Sequence, residues 1–484
     1  MLASELFGEK WKWEDAEITD ITINSKEVKE GSVFICITGQ NTDGHNFANQ
    51  AAECGAVAVV AEKEITCSCP VIMCENTKIE MAKLASKFCG EPEKKLKLIG
   101  ITGTNGKTTV SYLIKSILET AGKKVGIIGT NEILVGNEPV GIKSSTPTTP
   151  NSLELHKIFA KMLQMGAEYA VMEVSSHALD LYRVYGLYYD AGVFTNLTRD
   201  HLDYHKTMEN YFLAKAKLFD MCKTGVINTD DEYGKRLKSL GKSKKLAVGT
   251  KDAELLAEDI KIDEKGVVFS VNYGGQRERI ELEISGMFSV YNALCALGAV
   301  LSCGVDLETA KKGLKNARGV KGRLERVPTD TDYTVIIDYA HTPDGLENVL
   351  NTVNSFKKGR LIAVFGCGGD RDATKRPIMG DIGTRLSDIA VITSDNPRTE
   401  EPEKIIDDII KGAKGENYKV IPDRREAIGY ALSLAKKDDV VLLLGKGQET
   451  YQILGTEKIH FDEREIVKDL LEKQNAEIEC SRHN

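Results

Sequence analysis

The sequence predicts an α/β chain of several domains, with a mostly parallel sheet at its centre. Three observations carry this. At 484 residues the chain exceeds one ordinary core, so two to four domains are expected. From about residue 96 to 320, β-like runs alternate with helical patterns, as in parallel strands covered by helices on both faces. From about residue 327 to 484 the alternation starts afresh, after the Gly- and Arg-rich junction Ala317 to Arg326.

The first 90 or so residues carry shorter β-like runs, Ser32 to Thr38 among them, and Ala51 to Val60 reads as a helix running into a strand. Ser25-Lys26, Gly39-Gln40-Asn41-Thr42 and Asp43-Gly44-His45 read as turns. Glu91 to Lys95 is polar, contains Pro92, and reads as a linker.

The stretch Lys95 to Leu118 organises the chain. A β-like run, Leu96 to Ile101, turns through Gly103-Thr104-Asn105-Gly106 into a helix with Val110, Leu113, Ile114, Ile117 and Leu118 at helical spacing. Glycines let the backbone approach an anion, and the first N–H groups of a helix point at it. Lys107 supplies charge for terminal phosphates, and the Thr108 hydroxyl suits Mg²⁺. A nucleoside triphosphate site is expected, although the glycine spacing departs from the usual phosphate loop: the position five residues before Gly106 is Ile101.

Ligands of parallel sheets gather at the carboxyl ends of strands. That rule brings Lys107, Thr108 and Thr148-Thr149-Pro150 together with two further strand ends. Glu173 ends the strand Tyr169 to Val174 and is followed by Ser175-Ser176-His177. Ala191 to Thr195 is followed by Asn196-Leu-Thr-Arg-Asp-His201-Leu-Asp203. Glu173 and His201 would face Thr108 across the phosphates and hold a divalent metal. On the helix Met208 to Phe219, Lys215 shares a face with Tyr211, Ala214, Leu218 and Phe219. A snorkelling lysine is the simplest reading there. A desolvated one would be a neutral nucleophile able to form a carbamate with CO2.

In the last third, strand-end loops carry Arg371, Arg398 and Glu449. Two guanidiniums and a carboxylate suit an amino-acid-like zwitterion; surface salt bridges are the alternative.

Hydrophobic residues at 42% and charged residues at 28% are ordinary globular composition. A net charge of −8 with mixed signs argues against nucleic-acid binding. No apolar run reaches membrane-spanning length, and MLASELFGEKWKWED lacks a signal-peptide layout. Eleven scattered cysteines fit a reducing compartment, so a cytoplasmic protein is expected. Cys67, Cys69 and Cys74 lack a second half for a zinc site and read as free thiols.

Five motifs in one order resemble the Mur ligases of peptidoglycan synthesis over nearly the whole chain: Gly103 to Thr109, Glu173 to His177, Thr195 to Asp203, Asp338-Tyr-Ala-His-Thr-Pro343 and Asp395-Asn-Pro-Arg398. Within that family they are similar to the members that add the third peptide residue to UDP-N-acetylmuramoyl-L-alanyl-D-glutamate. The phosphate loop alone would equally fit folylpolyglutamate synthetases.

The resemblance implies three domains: a smaller N-terminal α/β UDP-binding domain (1–94), a central P-loop ATPase domain (95–324) and a C-terminal Rossmann-like domain for the incoming amino acid (325–484). It implies an ATP-dependent, ADP-forming ligase using Mg²⁺, and a monomer is expected. Gly103, Thr104, Asn105, Gly106, Lys107, Thr108, Thr109, Asn292, Arg323, Asp338 and His341 match ATP positions. Ser25, Gln40, Asn41 and Thr42 match UDP positions; Thr148, Thr149, Ser175 and Arg183 match muramoyl-peptide positions. Some relatives have glutamine where this chain has Leu181.

Lys107, Glu173, His201 and Lys215 match catalytic positions. Thr108, Glu173, His201 and Lys215 form the implied metal set, with Lys215 carbamylated (N6-carboxylysine). The Asp395-Asn396-Pro397-Arg398 form is similar to that of enzymes adding meso-2,6-diaminopimelate, whose second carboxylate Arg398 can pair. Arg371, Gly445 and Glu449 match other positions around that amino acid. The same ligase using L-lysine and a folylpolyglutamate-type ligase are the alternatives, with an ATP-hydrolysing switch behind them.

Overall fold

The computed structural model of the chain describes residues 1–39, 42–263 and 265–482. Gln40 and Asn41 lie outside the described residues. Among the described residues three larger sheets, each with its own apolar clusters, succeed one another along the chain, and a two-stranded hairpin follows them.

The first is a four-stranded parallel sheet of Asp20–Thr22, Ser32–Ile35, Ala56–Ala61 and Val71–Met73, in that order. The stretch expected as a linker is packed. Pro92–Lys94 forms a short 3-10 helix, and Glu93 is buried beneath it, accepting from Ser86 Oγ at 2.6 Å.

The central sheet has eleven strands. Its core runs parallel in the order Leu255–Asp263, Lys244–Gly249, Cys222–Asn228, Tyr189–Phe194, Lys97–Thr102, Tyr169–Glu173, Val125–Ile128. Antiparallel strands extend both edges: Gly266–Tyr273 and Gln276–Leu282 on one side, Ile133–Val135 and Glu138–Pro139 on the other. Helix Lys107–Thr120 packs on one face, and Val110, Leu113, Ile114, Ile117 and Leu118 are fully buried there, as their spacing predicts. Helix Ser152–Gln164 covers the other face through Leu155, Ile158, Phe159 and Met162.

The third sheet is six-stranded, in the order Glu325–Val327, Thr334–Asp338, Val440–Leu444, Leu361–Phe365, Ile389–Ile392, Tyr418–Val420. Only its first pairing is antiparallel. Among the described residues no helix is long and apolar enough to cross a membrane.

Candidate functional site

The carboxyl ends of the central and C-terminal parallel strands face one cavity of about 380 Å³. It is lined from the central part by Thr104 to Thr109, Thr148, Glu173, His201 and Asn292. From the C-terminal part it is lined by Asp338, His341, Arg371, Asp395, Asn396, Arg398, Gly445 and Glu449, with Arg323 at the junction. The expected nucleotide and amino-acid residues thus converge, with few exceptions.

Sheet register builds the phosphate side. Ile101 pairs with Glu173, so the acid emerges beside the loop that follows Thr102. Thr108 Oγ1 donates to Glu173 Oε1 at 2.8 Å. Gly106 has φ +86°, and a Cβ there would meet Asn292 Oδ1 at 2.4 Å, so only glycine fits. Lys107 folds over the loop and donates to the carbonyls of Gly103 (2.9 Å) and Thr104 (2.8 Å); burial pushes its pKa down.

Lys215 sits behind the loop rather than in the cavity wall. It is 2% exposed, lies over the Tyr211 ring and donates to Gly103 O at 2.9 Å. Burial, reinforced by Lys107, holds its pKa well below the ordinary lysine value. The snorkelling reading is therefore wrong for this lysine: its amine is enclosed. His201 has φ +53° and packs edge-on against His177. Burial pushes its pKa down to about 4, against the pull of the Asp200 carboxylate 3.5 Å from its Nε2.

Hydroxyl and carboxylate in contact at Thr108 and Glu173 fit a hard cation that completes its shell with phosphate oxygens and water. Among the described residues no three His, Cys, Asp or Glu side chains form a preformed cage. An unmodified Lys215 is a donor and not a metal ligand; only as a carbamate would it join the set.

On the C-terminal side of the cavity, Gly368 lies between the two arginines: a Cβ there would meet Arg398 Nη1 at 2.9 Å and Arg371 Cγ at 4.0 Å. Arg398 Nη1 donates to Gly369 O at 2.7 Å. Glu449 Oε2 accepts from Asn396 Nδ2 (2.9 Å) and Lys446 Nζ (3.0 Å). Asp395 is buried, and its Oδ2 has no protein partner. Burial works to raise its pKa, but Lys446 and Arg424 outweigh that and hold it below the usual carboxylate value. Gly445, at φ +110°, passes so close that a Cβ would lie 2.6 Å from that oxygen. Pro397 stays out of the wall.

Thr149, Ser175 and Arg183 form a connected group outside this cavity. Arg183 Nη1 donates to Thr149 O at 3.1 Å, and Thr149 Oγ1 lies 3.3 Å from Ser175 Oγ. Thr148 bridges to the cavity through Thr130 Oγ1 at 3.0 Å. Ser25 and Thr42, on the N-terminal part, do not reach the cavity wall.

The chain matches three family models: "Mur ligase family, catalytic domain" over residues 17–86, "Mur ligase middle domain" over 101–300 and "Mur ligase, glutamate ligase domain" over 322–447. The chain is a Mur ligase. It is 50% identical to UDP-N-acetylmuramoyl-L-alanyl-D-glutamate–2,6-diaminopimelate ligase 1 of Clostridium acetobutylicum, covering 95% of this Mur ligase and 96% of that protein. It is 47% identical to the ligase of the same name from Bacillus cereus, covering 95% of each. A solved structure of such a diaminopimelate ligase superposes with TM-score 0.68 at 31% identity, over 98% of this chain and 99% of that one. MurF from Thermotoga maritima in complex with ADP shares the fold, with TM-score 0.64 at 20% identity over 94% and 97% of the two chains.

The structure of this Mur ligase adds residues that the sequence did not single out. Thr130 donates to Glu173 through both N–H and Oγ1, each at 3.0 Å. It follows the strand Val125–Ile128, and the strand-end rule could have found it. Lys446 is fully buried between two glycines, where sequence alone suggests a solvated loop lysine. Asn105 Nδ2 donates to Asp344 Oδ2 at 2.8 Å and Arg199 Nη2 to Thr374 Oγ1 at 2.8 Å, so the central and C-terminal parts are bonded directly.

Proposed function

We propose that this Mur ligase joins meso-2,6-diaminopimelate to the γ-carboxylate of the D-glutamyl residue in UDP-N-acetylmuramoyl-L-alanyl-D-glutamate, for cytoplasmic peptidoglycan precursor synthesis. ATP is the co-substrate. The observation that carries the reading is Arg371, Arg398 and Glu449 in the wall of the cavity that Thr104 to Thr109 also line. Relatives 45–50% identical bear that activity in their names.

The chemistry follows from the cavity. The loop N–H groups and Lys107 receive the phosphates, with Asn292, Arg323, Asp338 and His341 around the nucleotide. Thr108, Glu173, His201 and carbamylated Lys215 would hold Mg²⁺, which when bound neutralises charge on the transferring phosphoryl group. The γ-carboxylate, steered by Thr148, Thr149, Ser175 and Arg183, attacks the γ-phosphorus in line. ADP leaves and an acyl phosphate remains. Lys107 and Arg323 balance the negative charge that develops. Ser25 with the Gln40–Thr42 loop would hold the UDP end.

Arg371 and Arg398 pair with the carboxylates of diaminopimelate, and Glu449 and Asp395 meet its ammonium charge. Its free amine attacks the acyl carbon, the tetrahedral intermediate expels phosphate, and an amide bond remains. The Asn105–Asp344 contact would keep water from the acyl phosphate while both halves are joined.

The test is phosphate release with ATP, Mg²⁺ and the UDP-dipeptide, with meso-diaminopimelate or L-lysine added in turn. Release that requires diaminopimelate supports the proposal. Equal release with lysine replaces the substrate, and release independent of any amino acid replaces the ligase with an ATPase.

A further inference from the structure

The hairpin of Tyr451–Leu454 and Glu457–His460 stands outside the six-stranded sheet; its strands pair with each other, and Leu454 forms a parallel bridge with Arg398. A hairpin that builds a core buries alternate apolar side chains. Here the only buried strand residue is an amide, Gln452.

The hydrogen bonds of this hairpin run to the loop of Asp395 to Arg398. Gln452 Nε2 donates to Asp395 O at 2.7 Å. Ile453 N–H donates to Asn396 Oδ1 at 3.0 Å. Arg398 N–H donates to Ile453 O at 3.1 Å, and Gly455 N–H donates to Arg398 O at 2.7 Å. Both backbone polar groups of Arg398 are therefore held by the hairpin. Arg398 itself has φ +53°, a left-handed conformation that side-chain-bearing residues rarely adopt. Such a conformation persists only where the surroundings over-determine it.

We infer that this hairpin is a specificity-determining element of the amino-acid site, with Gln452 as a positioning residue for Arg398. The inference rests on the reading of Arg398 as the partner of a substrate carboxylate. The left-handed turn at Arg398 aims its guanidinium across to Gly369 O, on the loop that carries Arg371. Released from the hairpin, Arg398 relaxes toward an ordinary φ, and its guanidinium leaves the position where a distal carboxylate arrives. The phosphate loop shares no hydrogen bond with the hairpin, so nucleotide binding is untouched.

The experiment compares Gln452→Leu with the wild-type chain in the phosphate-release assay. Leucine keeps the buried volume and removes the donor to Asp395 O. The expected result is a KM for meso-diaminopimelate raised about tenfold, a KM for ATP within about twofold, and a diaminopimelate-over-lysine ratio lowered about tenfold. An unchanged ratio overturns the inference, as does a rise of both KM values by one common factor. Should Gln452→Leu fail to fold, Gly455→Val decides instead. A Cβ there would meet no atom within 4 Å, but a β-branched residue resists the φ of +59° and loosens the same grip. It must give the same split between the two KM values. The wild-type protein separates the two possible failures. A wild type that accepts lysine equally removes the reading of Arg398, whereas a selective wild type beside an equally selective variant removes only the role of the hairpin.

Discussion

The Thr108 hydroxyl donates to Glu173 at 2.8 Å, from the helix that begins at Lys107 to the end of a neighbouring strand. The contact follows from register, since Ile101 and Glu173 are paired across the sheet. It places one hydroxyl and one carboxylate where a nucleotide-bound cation would lie. Glu173→Gln keeps the size of the side chain and an acceptor for Thr108, but removes the charge. Turnover in the phosphate-release assay should fall about 10²–10³-fold, with little change in the melting temperature. Chelation of divalent cations should abolish turnover in the wild type, and added Mg²⁺ should restore it.

Lys215 tests the carbamate. Its enclosed amine has a pKa pushed well below the ordinary value by burial, which enlarges the share of the neutral form that reacts with CO2; acidification reduces that share. Lys215→Ala should lose ligation and recover in part with added short carboxylates. Carbon NMR with labelled bicarbonate should give a carbamate signal in the wild type and none in the variant. Full activity of the variant without additive removes the carbamate from the scheme.

How much of this was legible depended on how local the signal was. The phosphate loop, its helix and the buried stripe Val110 to Leu118 follow from one contiguous pattern. The gathering of Glu173 and His201 follows from the strand-end rule, and the meeting of Arg398 with them from the family resemblance. The strands Gly266–Tyr273 and Gln276–Leu282 were passed over, although Gly274-Gly275 between them is a hairpin signal and both residues have positive φ. The strand–helix alternation on either side masks them. Lys446 and Arg424 could not be read at all. Each is buried because separate strand-end loops converge on it, and nothing in the flanking residues marks that.

On the proposed function, Arg398 carries the choice of amino acid. Arg398→Ala should lower kcat/KM for meso-diaminopimelate about 10²-fold, while lysine turnover stays the same or rises. The reason is asymmetric: diaminopimelate loses the partner of its distal carboxylate, and lysine loses only an unpaired guanidinium beside its far end. Initial rates with each amino acid check this, and unchanged discrimination refutes the pairing.

The Asn105–Asp344 bond joins the phosphate loop to the first turn of helix Pro343–Phe356. Asp344→Ala removes this bond, worth about 1–2 kcal/mol, together with the contacts of Asp344 to Asn348 and Thr198, so kcat/KM should fall at least about tenfold. The same variant should hydrolyse more ATP per amide formed, because a loosened closure admits water to the acyl phosphate. The ratio of phosphate to amide product measures this directly. A ratio equal to that of the wild type would mean that the contact does not guard the intermediate.

Arg424 and Glu463 form an ion pair in which both side chains are fully buried. The guanidinium also donates to Leu444 O (2.8 Å) and Ser394 O (3.2 Å), the residues just before Gly445 and Asp395. Arg424→Met fills the same space but leaves Glu463 charged and unpaired, at a cost of about 3–5 kcal/mol. For a unit of this size that is a fall of roughly 10 °C in melting temperature. Adding Glu463→Gln removes the uncompensated charge and should recover most of the loss. The KM for the amino acid should not recover with it, because the two carbonyls that stem the Asp395 and Gly445 loops still lack their shared donor. If the double variant melts as low as the single one, the cost lies in the lost carbonyl bonds rather than in the stranded carboxylate.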